Sequence, residues 1–197
     1  MENQKALNVK IIIGSTRPGR FSEKPAAWIA HEASKREGWN VETLDLRDYP
    51  MPFFDEAVPF GMGGTATNEV AVRWGLKIAE ADAYIVIAPE YNHGYTAVLK
   101  NALDYAYRQW NNKAIGFVSY GGTGGVRPIE QLRQVAIELQ LAPIRNSVHI
   151  PMATYMDVVK AGEDFLPAFA SLEKAKEGLL TQLEWWARAL QDARAKT

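Results

Sequence analysis

An apolar run at residues 83–88 ends in a proline followed by acidic, aromatic and amide side chains. These side chains belong to Glu90, Tyr91 and Asn92. A tyrosine offers a flat aromatic face, and an asparagine offers both hydrogen-bond donors and acceptors. Beyond the carboxyl end of a central strand, such groups line the ligand crevice of an open α/β sheet. The segment therefore predicts a pocket for a planar ligand; the alternative is an ordinary turn in which Asn92 or Gly94 serves backbone geometry.

A second candidate site follows the apolar run at residues 9–13 and precedes a helical pattern. Main-chain N–H groups and the helix dipole favour an anion at such a position. The segment also holds three hydroxyls and two guanidinium groups that suit a phosphate. These side chains are Ser15, Thr16, Ser22, Arg17 and Arg20. Its spacing fits neither a Walker A loop nor the Rossmann glycine fingerprint, so the sequence disfavours ATP or GTP hydrolysis. The alternative is a surface loop with solvated arginines.

A glycine-rich segment, residues 119–125, begins at the end of the apolar run at residues 114–120. Glycine permits positive φ angles and a close approach between backbone and ligand. The cluster is weak evidence alone, but it follows another strand of the same predicted sheet. All three segments should therefore open on one edge of that sheet.

The elements that position these segments alternate between strand and helix. We predict strands at residues 9–13, 41–46, 83–88, 114–120 and 143–150, and helices at residues 25–36, 67–81, 96–110, from 126 to about 141, and 163–195. Five strands alternating with helices indicate a parallel sheet with right-handed crossovers. Trp74 is expected in the core, and Trp185 lies off the apolar stripe of the last helix.

Composition limits the classes of protein to consider. The chain has 197 residues, no cysteine and a formal net charge of −1. That length suits one domain spanning residues 1–197. Near-neutrality gives no reason to expect nucleic-acid binding and weakly disfavours a charge-steered electron carrier. Without cysteine, redox chemistry needs a bound cofactor. We identify no metal motif, no membrane span and no signal peptide, and we expect a cytoplasmic protein.

A long irregular loop is predicted between the second strand and the second helix, at residues 49–64. It is rich in proline and glycine and carries Phe53, Phe54 and Phe60. Long loops in compact domains are commonly functional. Two interpretations remain open: the aromatic residues cover a pocket or contact another subunit, or the loop simply packs on the surface.

Three motifs occur together, in order and at matching spacing. They are Gly14-Ser15-Thr16-Arg17-Pro18-Gly19-Arg20, Pro89-Glu90-Tyr91-Asn92-His93-Gly94 with Lys100-Asn101-Ala102-Leu103-Asp104, and Ser119-Tyr120-Gly121-Gly122. With them the chain resembles the NAD(P)H-dependent FMN reductases, a flavodoxin-like family that includes quinone, azo-dye and chromate reductases. The resemblance covers residues 9–150. It implies a flavodoxin-like α/β fold, a three-layer sandwich with a five-stranded parallel sheet in the order 2-1-3-4-5.

The resemblance also implies which residues bind FMN. The first motif would hold the phosphate, and the second and third would flank the isoalloxazine ring. The implied cofactor-binding residues are Ser15, Thr16, Arg17, Arg20, Phe21, Ser22, Pro89, Glu90, Tyr91, Asn92, Ser119, Tyr120, Gly121 and Gly122. Many family members have a serine where this chain has Arg20, and Ser22 is a candidate to replace it. Lys100, Asn101 and Asp104 are expected to be structural or interface groups.

The implied activity is transfer of a hydride from NADPH or NADH through FMN to a small acceptor such as a quinone, an azo compound, a metal oxyanion or free flavin. Phe53, Phe54 and Phe60 would help line the acceptor pocket, near the boundary of a homodimer or homotetramer. No catalytic residue is assigned, and His93 is more simply a local turn residue. A flavodoxin-type electron carrier and a flavin-binding regulatory module remain alternatives. The sequence leaves open the physiological acceptor, the nucleotide preference and the oligomeric state.

Overall fold

The sheet of this protein has five parallel strands, as predicted. The computed structural model describes residues 5–196, and its strands are β1 (Leu7–Ile13), β2 (Trp39–Asp45), β3 (Ala83–Pro89), β4 (Ala114–Tyr120) and β5 (Ala142–Ile150). They lie in the order β2-β1-β3-β4-β5. This order confirms the predicted flavodoxin-like topology. The carboxyl ends of β1, β3 and β4 are therefore neighbours at one edge of the sheet.

Helices cover both faces of the sheet. They are α1 (Glu23–Ala33), α2 (Glu69–Ala79), α3 (Ala97–Asp104), α4 (Val126–Glu138), α5 (Met152–Lys160) and α6 (Glu173–Arg194). Residues of α1, α5 and α6 share one hydrophobic core, and residues of α2, α3 and α4 share the other. Trp74 is fully buried in the second core, as predicted, whereas Trp185 on α6 is exposed.

The central strands show why the chain forms three layers. Every residue of β3 and β4 is buried. Alternate side chains of a strand point to opposite faces, and Ile11 and Ile85 accordingly lie in one core while Ile12 and Val86 lie in the other. Continuous apolar runs are the pattern expected for strands covered by helices on both sides.

The last third of the chain differs from the predicted single helix at residues 163–195. The structure has α5 directly after β5, then a 3₁₀ helix at Leu166–Leu172, and only then α6. Gly162, with a φ of 63°, follows the end of α5. Pro167 lies in the first turn of the 3₁₀ segment. A proline lacks the N–H that a regular helix interior requires, and α6 accordingly begins beyond it.

The third helix is also shorter than predicted: α3 ends at Asp104 instead of Trp110. The N–H of Tyr107 donates to the Gln109 side chain at 3.2 Å, and the Trp110 indole donates to the Leu103 carbonyl at 3.2 Å. Side chains thus take over hydrogen bonds that a continuing helix would have made within its backbone.

An irregularity separates the two ends of β5. Ile115 pairs with Pro143 and Phe117 pairs with Ser147, so β5 advances four positions where β4 advances two. Backbone groups freed by this bulge bind side chains from the helices on either face. Arg133 of α4 donates to the Ile144 carbonyl at 2.5 Å, and the Asn146 N–H donates to Gln182 of α6 at 2.7 Å. Side chains from the helices on both faces of the sheet therefore stabilise the bulge.

A buried lysine lies at the opposite, amino edge of the sheet. Lys113, just before β4, donates to the carbonyls of Ile78 and Ala79 at the end of α2, each at 2.9 Å. Its amine also lies 3.3 Å from the Tyr84 hydroxyl. Burial lowers the pKa of Lys113 to about 7, and the nearby positive charge of Arg194 acts in the same direction. Lys113 therefore caps α2 in a region where a positive charge is poorly solvated.

Candidate active site

The first loop, residues 14–22, joins β1 to α1 at the carboxyl edge of the sheet. Thr16 and Arg17 are exposed, whereas Ser15 is buried. The Ser15 hydroxyl lies 2.8 Å from the Tyr91 hydroxyl, and the Arg17 guanidinium carbon lies 5.9 Å from the centre of the Tyr91 ring. The loop therefore offers a hydroxyl and a guanidinium group beside an aromatic ring, which is chemistry suited to an anion attached to a planar ligand.

Arg20 faces away from this exposed surface. Its side chain is only 1% exposed, and its guanidinium donates to both carboxylate oxygens of Asp45 and to the main-chain carbonyl of Ser15. Although desolvation raises the pKa of Asp45, the hydrogen bond from Arg20 lowers it, and the net result is below the ordinary value. Arg20 thus fixes the first loop to the end of β2. A phosphate contact from Arg20 would require this ion pair to open.

Phe21 and Ser22 lie beneath the first loop and are both buried. The Phe21 ring packs 4.9 Å from the Tyr120 ring and 4.2 Å from the Tyr155 ring. The Ser22 and Tyr120 hydroxyls are 2.6 Å apart. Burial raises the pKa of Tyr120 to about 12. These side chains join the first loop to β4 and α5, so they support the loop from below.

The second loop, residues 90–96, begins with a tight turn. The N–H of Tyr91 donates to the Gly94 carbonyl at 2.9 Å, and the N–H of Gly94 donates to the Tyr91 carbonyl at 3.2 Å. The central residues Asn92 and His93 have φ angles of 50° and 75°. Positive φ at both central positions is characteristic of a type I′ turn, in which asparagine is favoured. Asn92 therefore serves backbone geometry while its exposed side chain remains accessible.

Glu90 connects the second loop to the third loop, residues 121–125. Its carboxylate accepts hydrogen bonds from Arg127 at 2.6 Å and Thr123 at 3.2 Å. Its N–H donates to the Tyr120 carbonyl at 2.9 Å. The preceding residue, Pro89, is the buried last residue of β3. These contacts make Glu90 a link between loops whose carboxylate already has two partners.

Glycine is needed at specific points of the third loop. A Cβ at Gly121 would lie 2.6 Å from the Glu90 Cβ, so no larger residue fits there without a shift. A Cβ at Gly122 would meet no heavy atom within 4 Å, so the space above Gly122 is open. The Ser119 hydroxyl is buried and donates to the Gly124 carbonyl at 2.8 Å. The loop therefore packs closely on β3 and β4 while Gly122 faces open space.

A cavity of about 590 Å³ opens between the first loop, the second loop, α3 and the aromatic loop, which we define as residues 49–64. Its lining comprises Ser15, Thr16, Arg17, Met51, Pro52, Phe53, Tyr91, Thr96, Ala97, Val98 and Asn101. Four of these are predicted cofactor-binding residues: Ser15, Thr16, Arg17 and Tyr91. The volume lies within the usual range of about 300–1,000 Å³ for ligand pockets. The third-loop residues do not line this cavity.

Asn101 and Thr96 contribute more to this site than the sequence indicated. The Asn101 side chain accepts from the Phe54 N–H at 2.9 Å and donates to the Pro52 carbonyl at 2.7 Å, which anchors the aromatic loop to α3. The Thr96 hydroxyl donates to the Gly14 carbonyl at 2.6 Å and caps the start of α3. Thr96 was identifiable as a capping residue at a helix start, whereas the sequence marked Asn101 only as a structural or interface group and did not indicate that it binds the aromatic loop.

The aromatic loop has two kinds of phenylalanine. Phe54 and Phe60 are half-buried, 5.4 Å apart, and both pack on the Tyr105 ring. Phe53 lines the cavity and is 81% exposed. Phe53 is therefore placed at the cavity, whereas the other two hold the loop in shape.

The residues present fit a flavin mononucleotide. A phosphate requires main-chain N–H groups, hydroxyls or a guanidinium group near a helix start, and the first loop supplies Thr16 and Arg17 before α1. A planar ring system requires an open surface bordered by flat or small groups. Tyr91 and the open space above Gly122 provide such borders. The site thus has the chemistry to hold both ends of the cofactor.

The fold defines a flavodoxin-like α/β protein, and its candidate ligand site lies at the carboxyl ends of β1, β3 and β4. Residues 7–154 match the family described as NADPH-dependent FMN reductase. The chain belongs to this family. It is accordingly an oxidoreductase that uses FMN and NAD(P)H, within a group that includes quinone reductases.

Individual relatives agree with this assignment. An NAD(P)H-dependent FMN reductase of Schizosaccharomyces pombe is 35% identical over 171 residues, covering 85% of this chain and 86% of the relative. An NAD(P)H:quinone oxidoreductase of Solanum tuberosum is 35% identical over 147 residues, covering 72% and 73%. The solved structure of the flavoenzyme FerB, an NAD(P)H:(acceptor) oxidoreductase from Paracoccus denitrificans, is similar with a TM-score of 0.72 at 19% identity, covering 93% of this chain and 98% of FerB. That structural similarity concerns the fold alone.

No group of three or more histidine, cysteine, aspartate or glutamate side chains within residues 5–196 is arranged to hold a metal ion. No helix in the same range is long and apolar enough to cross a membrane.

Proposed function

We propose that this protein binds FMN across its first, second and third loops and transfers reducing equivalents from NAD(P)H to small acceptors such as quinones, azo compounds, metal oxyanions or free flavin. The observation that carries the proposal is the convergence of Ser15, Thr16, Arg17 and Tyr91 on one cavity at the carboxyl edge of the sheet. Bound FMN supplies the hydride chemistry between nucleotide and acceptor. The protein supplies binding and orientation.

Each loop has a distinct role in this proposal. Thr16, Arg17 and the N–H groups of the first loop bind the phosphate. Pro89 at the end of β3, with Tyr91 and Asn92 on the second loop, borders the ring system on one side. Residues 119–122, at the end of β4 and the start of the third loop, border it on the other. Because hydrogen bonds between Ser15 and Tyr91, and between Glu90 and Thr123, link the three loops, their relative positions are set before ligands arrive. Such preorganisation lowers the entropic cost of aligning two reactants.

No dedicated acid or base is assigned to the reaction. The described lining of the cavity contains neither a carboxylate nor an imidazole. His93 is exposed in the type I′ turn and has its carbonyl bonded to Gln131 at 3.1 Å. We therefore assign proton delivery to solvent, and we assign rate acceleration to positioning and to the main-chain N–H groups around the site.

We infer that the protein works as a cytoplasmic single-domain homodimer or homotetramer. Support for assembly comes from apolar side chains that face solvent on the aromatic loop and α2, namely Phe53, Met62, Val72 and Leu76. Val72 and Leu76 lie one turn apart on the same face of α2, and adjoining exposed apolar side chains commonly mark protein interfaces. Light scattering coupled to size-exclusion chromatography would test this inference directly, because a monomeric mass at micromolar concentration would contradict it.

The decisive experiment combines FMN retention with anaerobic spectroscopy. Purified protein is mixed with FMN and desalted, and the flavin absorption is then recorded after successive addition of NADPH, NADH and a quinone. Retained absorption that bleaches with a nicotinamide nucleotide and recovers with quinone is expected. The nucleotide that bleaches at the lower concentration identifies the preferred donor.

Other outcomes have definite meanings. Retained flavin that neither nucleotide bleaches would contradict the reductase proposal and favour an electron carrier or a regulatory module. Loss of flavin on desalting, with no saturable binding in a direct titration, would contradict the proposed cofactor site. An Arg108→Ala variant is a suitable control, because Arg108 is exposed and lies outside the cavity.

A further inference from the structure

A chain of hydrogen bonds runs from the outer strand β5 to the third loop. The Ser147 hydroxyl lies 2.8 Å from His149 Nε2, and His149 Nδ1 lies 2.9 Å from the Ser119 hydroxyl. That hydroxyl in turn donates to the Gly124 carbonyl at 2.8 Å. Two strands and one loop are thus connected through a single imidazole.

Donor and acceptor roles along this chain can be assigned from one end. The Gly124 carbonyl can only accept, so the single hydroxyl proton of Ser119 points to it. Ser119 Oγ must then accept from His149, which places the imidazole proton on Nδ1. His149 Nε2 is left as an acceptor and receives the proton of Ser147. The chain therefore requires a proton on Nδ1, and with a neutral imidazole it runs in one direction from Ser147 to Gly124.

The surroundings of His149 agree with a neutral ring. The side chain is half-buried, and burial lowers its pKa. A hydrogen bond to the Gly124 backbone acts in the opposite direction, the positive charge of Arg133 on α4 adds to the effect of burial, and the net pKa is lowered. Both serines can reorient their hydroxyls, but of the two neutral tautomers only the Nδ1–H form satisfies all three hydrogen bonds at once.

The end of the chain is a conformationally demanding part of the third loop. Gly124 and Gly125 have φ angles of 74° and 73°. A Cβ at Gly125 would lie 2.8 Å from the Ser119 Cβ, and one at Gly124 would lie 3.3 Å from the His149 Cβ. The backbone therefore folds back on Ser119 and His149. Loss of the hydrogen bond between the Ser119 and His149 side chains would leave the Ser119 hydroxyl free to rotate away from the Gly124 carbonyl.

We propose that His149 is a positioning residue for the flavin site: its Nδ1–H orients Ser119, and Ser119 holds the third loop in the conformation that borders the flavin. This inference rests on the proposed function, since it assigns a consequence for FMN binding. His149 itself lies outside the cavity formed by the first and second loops. Its effect on the cofactor is therefore indirect.

Two substitutions test the two ring nitrogens of His149 one at a time. The asparagine amide in His149→Asn can place a donor near the position of Nδ1, so the bond to Ser119 is retained. The glutamine amide in His149→Gln reaches the position of Nε2, so the contact with Ser147 is retained and the bond to Ser119 is lost. We expect FMN affinity, measured by fluorescence titration, to remain within about threefold in the Asn variant and to fall roughly tenfold in the Gln variant. Ser147→Ala, which removes the contact with His149 Nε2, should lower FMN affinity less than His149→Gln, which removes the bond to Ser119.

Imidazole nitrogen NMR of the wild-type protein tests the same proposal without cofactor. A protonated Nδ1 and an unprotonated Nε2 are expected for His149, and the opposite tautomer would overturn the proposal even if a variant fails to fold. Equal FMN affinity in the Asn and Gln variants would also overturn it, provided that both have wild-type circular dichroism. If the wild-type protein binds no FMN, the proposed function fails while the tautomer result still decides the hydrogen-bond chain.

Discussion

Arg20 and Asp45 form a bidentate ion pair that joins the first loop to the end of β2. Asp45 is paired in the sheet with Ile13, the last residue of β1, and this register brings its carboxylate beside the loop that follows. One guanidinium nitrogen of Arg20 lies 2.7 Å from Asp45 Oδ1, and the same nitrogen donates to the Ser15 carbonyl. The shape of the first loop thus depends on a charge pair with the neighbouring strand.

Removal of one partner of this pair should destabilise the fold. We expect Asp45→Asn to lower the free energy of unfolding by about 3 kcal/mol, because the buried Arg20 guanidinium is left with only the more exposed Glu23 carboxylate as a charged partner. Arg20→Met should lower it by less, because the Asp45 side chain is 25% exposed and keeps its hydrogen bond from the Arg47 N–H. The double variant should lose less than the sum of the two. Urea denaturation of all four proteins measures this coupling. Additive losses would show that the two residues act independently.

Arg17 should contribute to FMN affinity and contribute little to the free energy of unfolding. Because its guanidinium is exposed at the cavity, Arg17→Ala should weaken FMN binding at least tenfold, by roughly 1.4 kcal/mol or more. Affinity for riboflavin, which lacks the phosphate, should change less than twofold. The free energy of unfolding should stay within about 0.5 kcal/mol of wild type. Parallel titrations with FMN and riboflavin provide the measurement, and equal losses for both ligands would argue against a phosphate contact.

Phe53 and Phe54 are neighbours on the aromatic loop with different surroundings, so their alanine variants should have different effects. Phe53→Ala should raise the acceptor KM roughly three- to tenfold through lost apolar contact, with little change in FMN affinity. Phe54→Ala should instead lower the free energy of unfolding by about 2 kcal/mol, since its ring packs on Phe60 and Tyr105. Steady-state kinetics with several quinones and urea denaturation distinguish the two. An unchanged KM in the Phe53 variant would remove that residue from the acceptor pocket.

Lys113 should make stability depend on pH. Its pKa is about 7 in the folded protein, below the ordinary 10.5 expected in the unfolded chain. Between these values the unfolded chain binds more protons, so stability rises with pH, by at most about 1.4 kcal/mol per pH unit for one group. Relative to Lys113→Met, the wild-type protein should gain stability from pH 6 to pH 9. Parallel unfolding curves with a constant difference across that range would contradict the assignment.

Local sequence patterns predicted the sheet well because its central strands are continuous apolar runs bounded by glycine or polar residues. The helices beyond β5 were harder to predict. Residues 152–160 mix exposed methionines with buried Thr154 and Val158, and that mixture has no clear period in the sequence. Pro167 is compatible with the first turn of a helix, so it did not reveal that the chain changes course before α6.

The site was predictable in type and less so in detail. Thr16, Arg17 and Tyr91 were identifiable because they follow predicted strands of a parallel sheet. The partner of Arg20 could not be identified in the same way, since Asp45 lies 25 residues away and meets it only through the β1–β2 register. The same reason hid the link between Ser119 and His149, which come from neighbouring strands.

The bulge in β5 has a consequence for how copies of this chain can meet. An outer strand normally presents a row of unpaired backbone groups on which another chain can add a strand. The bulge bends β5 locally, and Arg133 and Gln182 bind the Ile144 carbonyl and the Asn146 N–H from opposite faces. A strand from another molecule would have to follow this bend and fit between the two side chains in order to continue the sheet. A bulged outer strand is a poor template for edge-to-edge pairing, which disfavours aggregation through this side of the sheet.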